Sequence, residues 1–391
     1  MASNFPLAGI RVVEMGSSVA GPYTALVLSD LGAEVVKVEH PTTGDTSRGW
    51  GEPYLNGKTA VFETMNRGKK SIAIDMKNPD EVEALRGFIH ADVDVVLQNL
   101  RPGSVEQFGL DAKHLRADKP ELIYCNSGAF GDGPYADRPG YDPLMQGFSG
   151  LASITGGDGG GPCRVGSPVV DFGTGMWNVI GIVSLLAQRA QTGVGGVVDS
   201  SLFDTAAAWM TLHTGLFQAT GVLPERTGLR GPMIAPNSGY QCADGLLMIV
   251  CGTEGQFKNL CDVIGAEHIR DDPRFATAAM RNSAHDDFAA ALNAHLSTHT
   301  RAHWGAMLDR VNVPNAPVQT LDEMMVHEQT TASEMLQNGP IENFRAMVTP
   351  LRFGGERPRY STEAPQLGEH NETILSRENS VSRVTKKEVT S

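Results

Sequence analysis

The chain has 391 residues, 41% of them hydrophobic and 20% charged, the balance of an ordinary soluble globular protein and more length than one core usually fills, so two domains are expected. Against 32 basic residues stand 45 acidic ones, and the net charge of −13 argues against nucleic acid or an anionic membrane as a general partner. The N-terminus MASNFPLAGIRVVEM lacks a charged segment followed by a long apolar core, and no apolar run approaches ~20 residues, so neither a signal peptide nor a transmembrane helix is expected.

Residues 10–15 read as a strand, 23–31 as a helix stopped by Gly32, and 34–38 as the next strand. This β-α-β unit lacks G-x-G-x-x-G; its only nearby glycine pair is Gly16 and Gly21, so a dinucleotide site is poorly supported. Residues 41–70 form a long polar loop carrying Arg48, Trp50, Arg67, Lys69 and Lys70. Basic residues gathered in one loop of an acidic protein suggest an anionic ligand. Strands are expected at 71–75, 93–98, 121–125 and 197–200. A helix capped by Asn78 and Pro79 runs to about residue 90. Strands alternating with helices predict a mostly parallel, doubly wound α/β sheet, with ligands at its strand ends.

Residues 156–175 read GGDGGGPCRVGSPVVDFGTG: a glycine loop, a short strand at 168–170, the carboxylate of Asp171, then a helix opening at a Gly-Thr-Gly turn. Asp171 is either the cap of that helix or a nucleophile or base at a strand end. Residues 202–220 read as one long apolar helix suited to tight packing or a subunit interface. The Gly, Pro and Arg content of 221–237 marks a domain junction. A hairpin at 239–250 turns at Asp244-Gly245, and helices follow to about residue 310. Residues 321–336 read as helical and 345–353 as strand-like. The expected organisation is a large domain from 1–220 and 326–376, a small α+β domain at 225–325, and a disordered tail at 377–391.

The five cysteines, Cys125, Cys163, Cys242, Cys251 and Cys261, form no CxxC pair, which predicts reduced thiols and a cytoplasmic protein; Cys163 is read as a small buried filler. His295, His299 and His303 recur every fourth residue and would share a helix face, but they lack a recognised ligand pattern, so no metal site is expected.

Several segments together resemble the class III coenzyme A transferase family, which includes formyl-CoA and carnitine-CoA transferases. They are LAGIRVVEM and AGPYTALVLSDLGAEVVKVEHPTTGD, then NRGKKSIAIDMKNP, ADVDVVLQNLRPG, GYDPLMQGFSG, VVDFGTGM and LGEHNETIL. The resemblance spans about residues 7–376. It implies a Rossmann-like large domain built from both chain ends, a small middle domain, and an interlocked homodimer. It also implies no permanently bound cofactor, with coenzyme A and acyl-CoA as substrates and a carboxylic acid as the acceptor. The family nucleophile matches Asp171. Matching positions place His40, Ile74, Lys77, Asn99, Leu100, Gln107, Phe108, Tyr141 and Leu202 near coenzyme A, with Arg101, Lys69 and Lys70 as phosphate candidates. His40 and Gln107 replace arginines of some relatives. The loop holding Gly159, Gly160 and Gly161 is expected to act as a lid.

The segments GDTSRGWG (44–51) and NRGKK (66–70) resemble those of relatives that act on dicarboxylates, which implies an acceptor such as succinate or glutarate, with Arg48 facing its distal carboxylate beside Trp50. Formate is disfavoured, because Val19 stands where formyl-CoA transferases carry glutamine. The family also resembles α-methylacyl-CoA racemases, which use the histidine of a GHD segment. Here that segment is Gly140-Tyr141-Asp142, and tyrosine, with a pKa near ~10, is a poor base at neutral pH. A CoA-binding protein without catalysis is a further alternative.

Overall fold

The computed structural model describes residues 5–231 and 233–375; the expected tail at 377–391 lies outside them. The chain divides into two compact units. Among the described residues, the first comprises 5–151, 164–221 and 329–375, and the second 152–163, 222–231 and 233–328. The glycine loop therefore belongs to the second unit, although its place in the sequence had put it with the large domain.

The first unit is built on six parallel strands: β1 (Arg11–Met15), β2 (Glu34–Glu39), β3 (Lys70–Ala73), β4 (Val95–Gln98), β5 (Ile123–Gly128) and β6 (Val197–Ser201). Their order is β3-β2-β1-β4-β5-β6, the doubly wound Rossmann order. Successive residues point to opposite faces, and both faces are covered. Val13, Val36, Ile72 and Val96 pack with Leu85 and Ile89 of α2 (Pro79–Asp92). Val12, Val35, Val95 and Ile123 pack on the other face with Ala25 and Leu28 of α1 (Ala20–Asp30). Asn78 caps α2 as expected, its side chain accepting the N–H of Asp80.

A short helix, α3 (Asp142–Phe148), comes next, and after the second unit's first segment a long one, α4 (Val169–Thr192). The expected strand at 168–170 is absent: Val169 and Val170 begin α4. Gly173 and Gly175, which read as a turn in the sequence, lie inside this helix and are not turn formers. A Cβ on Gly173 would lie 2.2 Å from the ring of Trp209, and one on Gly175 would lie 2.7 Å from Tyr23. They let α4 approach α1 and α5 (Leu202–Trp209) closely. The long helix expected at 202–220 breaks at Met210 into α5 and α6 (Thr211–Thr220).

α4 is long and apolar enough, by length and composition, to cross a membrane, which corrects the expectation that no segment reaches that length. Core helices of soluble proteins share those properties. Its inner side buries Asp171, Thr174, Asn178 and Ile182, whereas Met176, Trp177 and Ile180 are exposed.

Residues 321–336 hold two short helices, Leu321–Val326 and Glu328–Ser333, rather than one; the strand-like stretch at 345–353 narrows to Arg345–Met347, paired with Leu336–Asn338.

The second unit has an antiparallel sheet of β7 (Asn237–Cys242), β8 (Gly245–Val250) and β9 (Asn315–Pro317). The β7–β8 hairpin turns at Ala243-Asp244, as its Asp-Gly dipeptide predicts. The helices α7 (Glu254–Val263), α8 (His285–Leu296) and α9 (Arg301–Asp309) supply its core, with Phe257, Phe288, Leu292 and Trp304 buried. His295 ends α8, His299 lies between helices and His303 lies on α9, so the three do not share one helix face. Among the described residues no group of three or more His, Cys, Asp or Glu side chains is arranged to hold a metal. All five cysteines are free, and Cys163 is exposed rather than buried.

Candidate active site

In the sheet order the chain reverses direction between β1 and β4, and ligands of doubly wound folds bind outside the strand ends at that point. A cavity of about 290 Å³ opens there. Ser17, Ser18 and Val19 follow β1 into it, Asn99, Leu100 and Arg101 follow β4, and Ser127 and Gly128 end β5. Arg138, Tyr141, Leu202 and Asp171 are also on its wall.

Asp171 is the third residue of α4, in its first turn, and is 9% exposed. It is not the helix cap; that position belongs to Pro168, which offers no side-chain acceptor. The first-turn N–H groups are instead taken by Asp142. Its Oδ2 accepts from Val170 N–H at 2.7 Å and from Asp171 N–H at 3.3 Å. Burial, and then the negative charge of Asp142, push the Asp171 carboxyl up to about 7. A carboxylate so raised is protonated in acid and becomes an available nucleophile near neutrality.

The opposite wall is held by a buried polar network. Lys37 Nζ, wholly buried, lies 2.8 Å from both Glu14 Oε1 and Asp45 Oδ2. Asp45 Oδ1 accepts from Ser18 N–H at 3.2 Å and from Ser47 N–H at 2.8 Å. Ser18 has φ +74°, a left-handed conformation that a serine holds only when its surroundings fix it. The Asn99 amide pairs with the backbone of Ser17, accepting its N–H and donating to its C=O, each at 2.9 Å. Gly16 and Gly21 make room for that amide: a Cβ on either would lie about 3 Å from it.

The structure thus brings Val19, Asn99, Leu100, Arg101, Tyr141, Asp171 and Leu202 to one cavity. His40, Ile74, Lys77, Gln107 and Phe108 do not line it. His40 is exposed, and its Nδ1 accepts from Thr42 N–H at 3.2 Å. Ile74 is buried in the sheet core, Lys77 and Gln107 are exposed, and Phe108 packs against the core.

Residues 41–70 are not one open loop: they hold a short hairpin at 54–59 and a helix at Ala60–Asn66, and their basic side chains are paired with carboxylates. Arg48 grips Glu39 with two 2.7 Å bonds, donates to Pro365 C=O, and lies 3.7 Å over the Phe62 ring. A fork so engaged is not free for a substrate carboxylate. Arg67 holds Asp30 bidentately, and Lys69, wholly buried, donates to Glu14. Lys70 is paired with Glu34 at 3.3 Å. Trp50 is exposed outside the cavity. Gly159, Gly160 and Gly161 lie in the second unit, where Arg226 Nε donates to Gly160 C=O at 2.8 Å.

The sequence reading passed over Ser17, Ser18, Ser127 and Arg138 as wall residues, and Asp142 as the partner of Asp171. The visible signal for Asp142 was an Asp-Pro pair opening a helix; what it holds lies 28 and 29 residues further on.

The sequence pattern of CoA-transferase family III matches residues 7–371. A succinate–glutarate CoA-transferase of Agrobacterium fabrum is 33% identical, with 97% of each chain covered. An acetyl-CoA:oxalate CoA-transferase of Acetobacter aceti is 34% identical, over 94% of this chain and 95% of that one. Among solved structures, a CAIB/BAIF family protein from Brucella suis superposes with a TM-score of 0.87 at 35% identity, over 97% of this chain and all of that one.

Proposed function

The chain belongs to CoA-transferase family III and is a CoA-transferase, and we propose that it moves CoA between carboxylic acids through covalent intermediates on Asp171. The observation that carries this reading is a nearly buried carboxylate, raised to about 7, in the first turn of a helix at the sheet's switch-point cavity. In the proposed sequence an oxygen of Asp171 attacks the thioester carbonyl of the donor. The C–S bond breaks, CoA leaves as the thiolate, and an acyl-aspartyl anhydride remains. The thiolate then attacks the aspartyl carbonyl and expels the donor's carboxylate, leaving an aspartyl-CoA thioester. The acceptor carboxylate attacks that thioester, giving a second anhydride and free thiolate. Attack of the thiolate on the acceptor's acyl carbon releases the new thioester and restores Asp171. A covalent route divides one difficult exchange into easier steps.

A dicarboxylate acceptor is part of the proposal. Relatives named for succinate and glutarate support it, as does the 34% identical relative named for oxalate. With Arg48 engaged by Glu39, the cations lining the cavity are Arg101 and Arg138. We also propose a homodimer. Met176, Trp177 and Ile180 of α4 and Leu212, Leu216 and Phe217 of α6 are exposed apolar side chains that a second copy would cover.

The test is isotope exchange. Wild-type protein incubated with labelled CoA and short acyl-CoA thioesters, with mono- and dicarboxylic acids added in turn, is expected to pass label into the thioester pool and to form the acceptor's thioester. Asp171→Ala should do neither. Wild-type protein that exchanges no label contradicts the proposal, and deuterium entering the α-carbon without exchange points to racemisation instead.

A further inference from the structure

We propose that Asp142 is a positioning residue for the nucleophile: its carboxylate, oriented by Gln146, fixes the first turn of α4 so that Asp171 presents its carboxylate to the cavity. The inference rests on the reading of Asp171 as nucleophile and assigns a role to a residue that does not line the cavity. Asp142 is 2% exposed and Gln146 is wholly buried. Gln146 Nε2 donates to Asp142 Oδ1 at 2.6 Å, and its Oε1 accepts from Val165 N–H at 2.8 Å. Both ends of the Gln146 amide are therefore assigned, and the amide cannot turn over without setting an NH₂ against the Val165 N–H. Asp142 Oδ2 is left for Val170 and Asp171. Donors thus run in one direction, from Gln146 and α4 onto a single carboxylate, which serves the helix in place of the cap that Pro168 lacks.

The same carboxylate places a negative charge beside Asp171, which is part of why Asp171 is raised. The other ionisable groups that share the cavity wall with Asp171 are Arg101, Asp137, Arg138 and Tyr141, and Tyr23 on α1 packs its ring on Phe172. Asp142, unlike Asp137, bonds to the α4 backbone.

The polarity of the chain dictates the test. Asp142→Asn keeps the shape but brings an NH₂ against the Gln146 NH₂. The double variant Asp142→Asn with Gln146→Glu restores an acceptor both for the introduced amide and for Val165 N–H. Asp142→Asn is expected to lower kcat/KM roughly 10- to 100-fold, with kcat falling more than KM rises, and the double variant to recover most of that loss. Carbon-13 NMR of aspartate carboxyls provides a second readout, the Asp171 signal being identified by its loss in Asp171→Asn. Its midpoint should fall by about one pH unit or more in Asp142→Asn. Asp142→Asn with the wild-type rate and midpoint overturns the inference, as does a folded double variant no faster than the single one. If the single variant does not fold, the double variant is compared with wild type directly, and a loss beyond about 100-fold overturns it. The NMR midpoint reads Asp142 whether or not Asp171 is the nucleophile, and retained transfer in Asp171→Ala removes the nucleophile reading alone.

Discussion

Asp171→Asn is expected to abolish CoA transfer and at the same time to stabilise the protein above neutral pH. The loss of activity should be about 10³-fold or more, because an amide cannot form the acyl-aspartyl intermediates. The gain in stability follows from linkage. The folded Asp171 carboxyl titrates at about 7, raised first by burial and then by Asp142. In the unfolded chain it titrates near ~4. Between those values the folded state holds a proton that the unfolded chain has released, so stability from this group falls as pH rises through that window. Above 7 the loss is complete and constant. At roughly 1.4 kcal/mol per unit it amounts to about 2–4 kcal/mol. Asn at this position is uncharged at every pH. Urea unfolding should therefore find Asp171→Asn more stable than wild type by about 2–4 kcal/mol at pH 8, with the difference gone near pH 4. Equal stability at pH 8 would mean that Asp171 is not held under this electrostatic load.

Lys37→Met is expected to be among the most destabilising single changes in the chain. Lys37 is wholly buried between Glu14 and Asp45, each 2.8 Å away, and Glu14 and Asp45 are nearly inaccessible themselves. Methionine fills the volume but leaves two buried carboxylates, of which Glu14 retains Lys69. Breaking a buried ion pair from one side costs about 3–5 kcal/mol, so the urea midpoint should drop accordingly. The pH dependence carries a second signature. Burial alone would raise Asp45, but Lys37 and the donors of Ser47 overcome it and hold Asp45 down at about 2. In wild type this contribution is complete above ~4 and is lost as pH falls through ~2; in Lys37→Met it should be missing. Because Asp45 holds Ser18 in its left-handed turn on the cavity wall, activity per folded molecule should fall as well. A variant with wild-type stability and acid limb would contradict this account of the network.

The α/β alternation was legible because strands of a two-sided parallel sheet announce themselves as runs rich in β-branched residues, such as VVLQ and the valines of EVVKVE. The candidate nucleophile was legible as a motif and misread as a structure. Val169 and Val170 look like strand, and Gly173-Thr174-Gly175 looks like a turn. The helix forms there because those glycines accommodate Trp209 and Tyr23, which are remote from them in sequence. The pairing of the basic side chains at 41–70 was hidden for the same reason. Arg48, Arg67 and Lys69 look like an anion site when read locally, but their carboxylate partners come from other elements: Glu39 from β2, Asp30 from the end of α1 and Glu14 from β1. Asp142 was invisible as a partner because what it holds is backbone N–H, which every residue but proline carries.

The central claim is that Asp171 itself becomes acylated during turnover. The most direct measurement is to quench the enzyme with hydroxylamine while it turns over an acyl-CoA and an acceptor acid, then map the modified residue by peptide mass spectrometry. A hydroxamate at Asp171, formed only when thioester is present, is the expected result. Turnover that continues while Asp171 stays unmodified, or a hydroxamate at a different carboxylate, would contradict it.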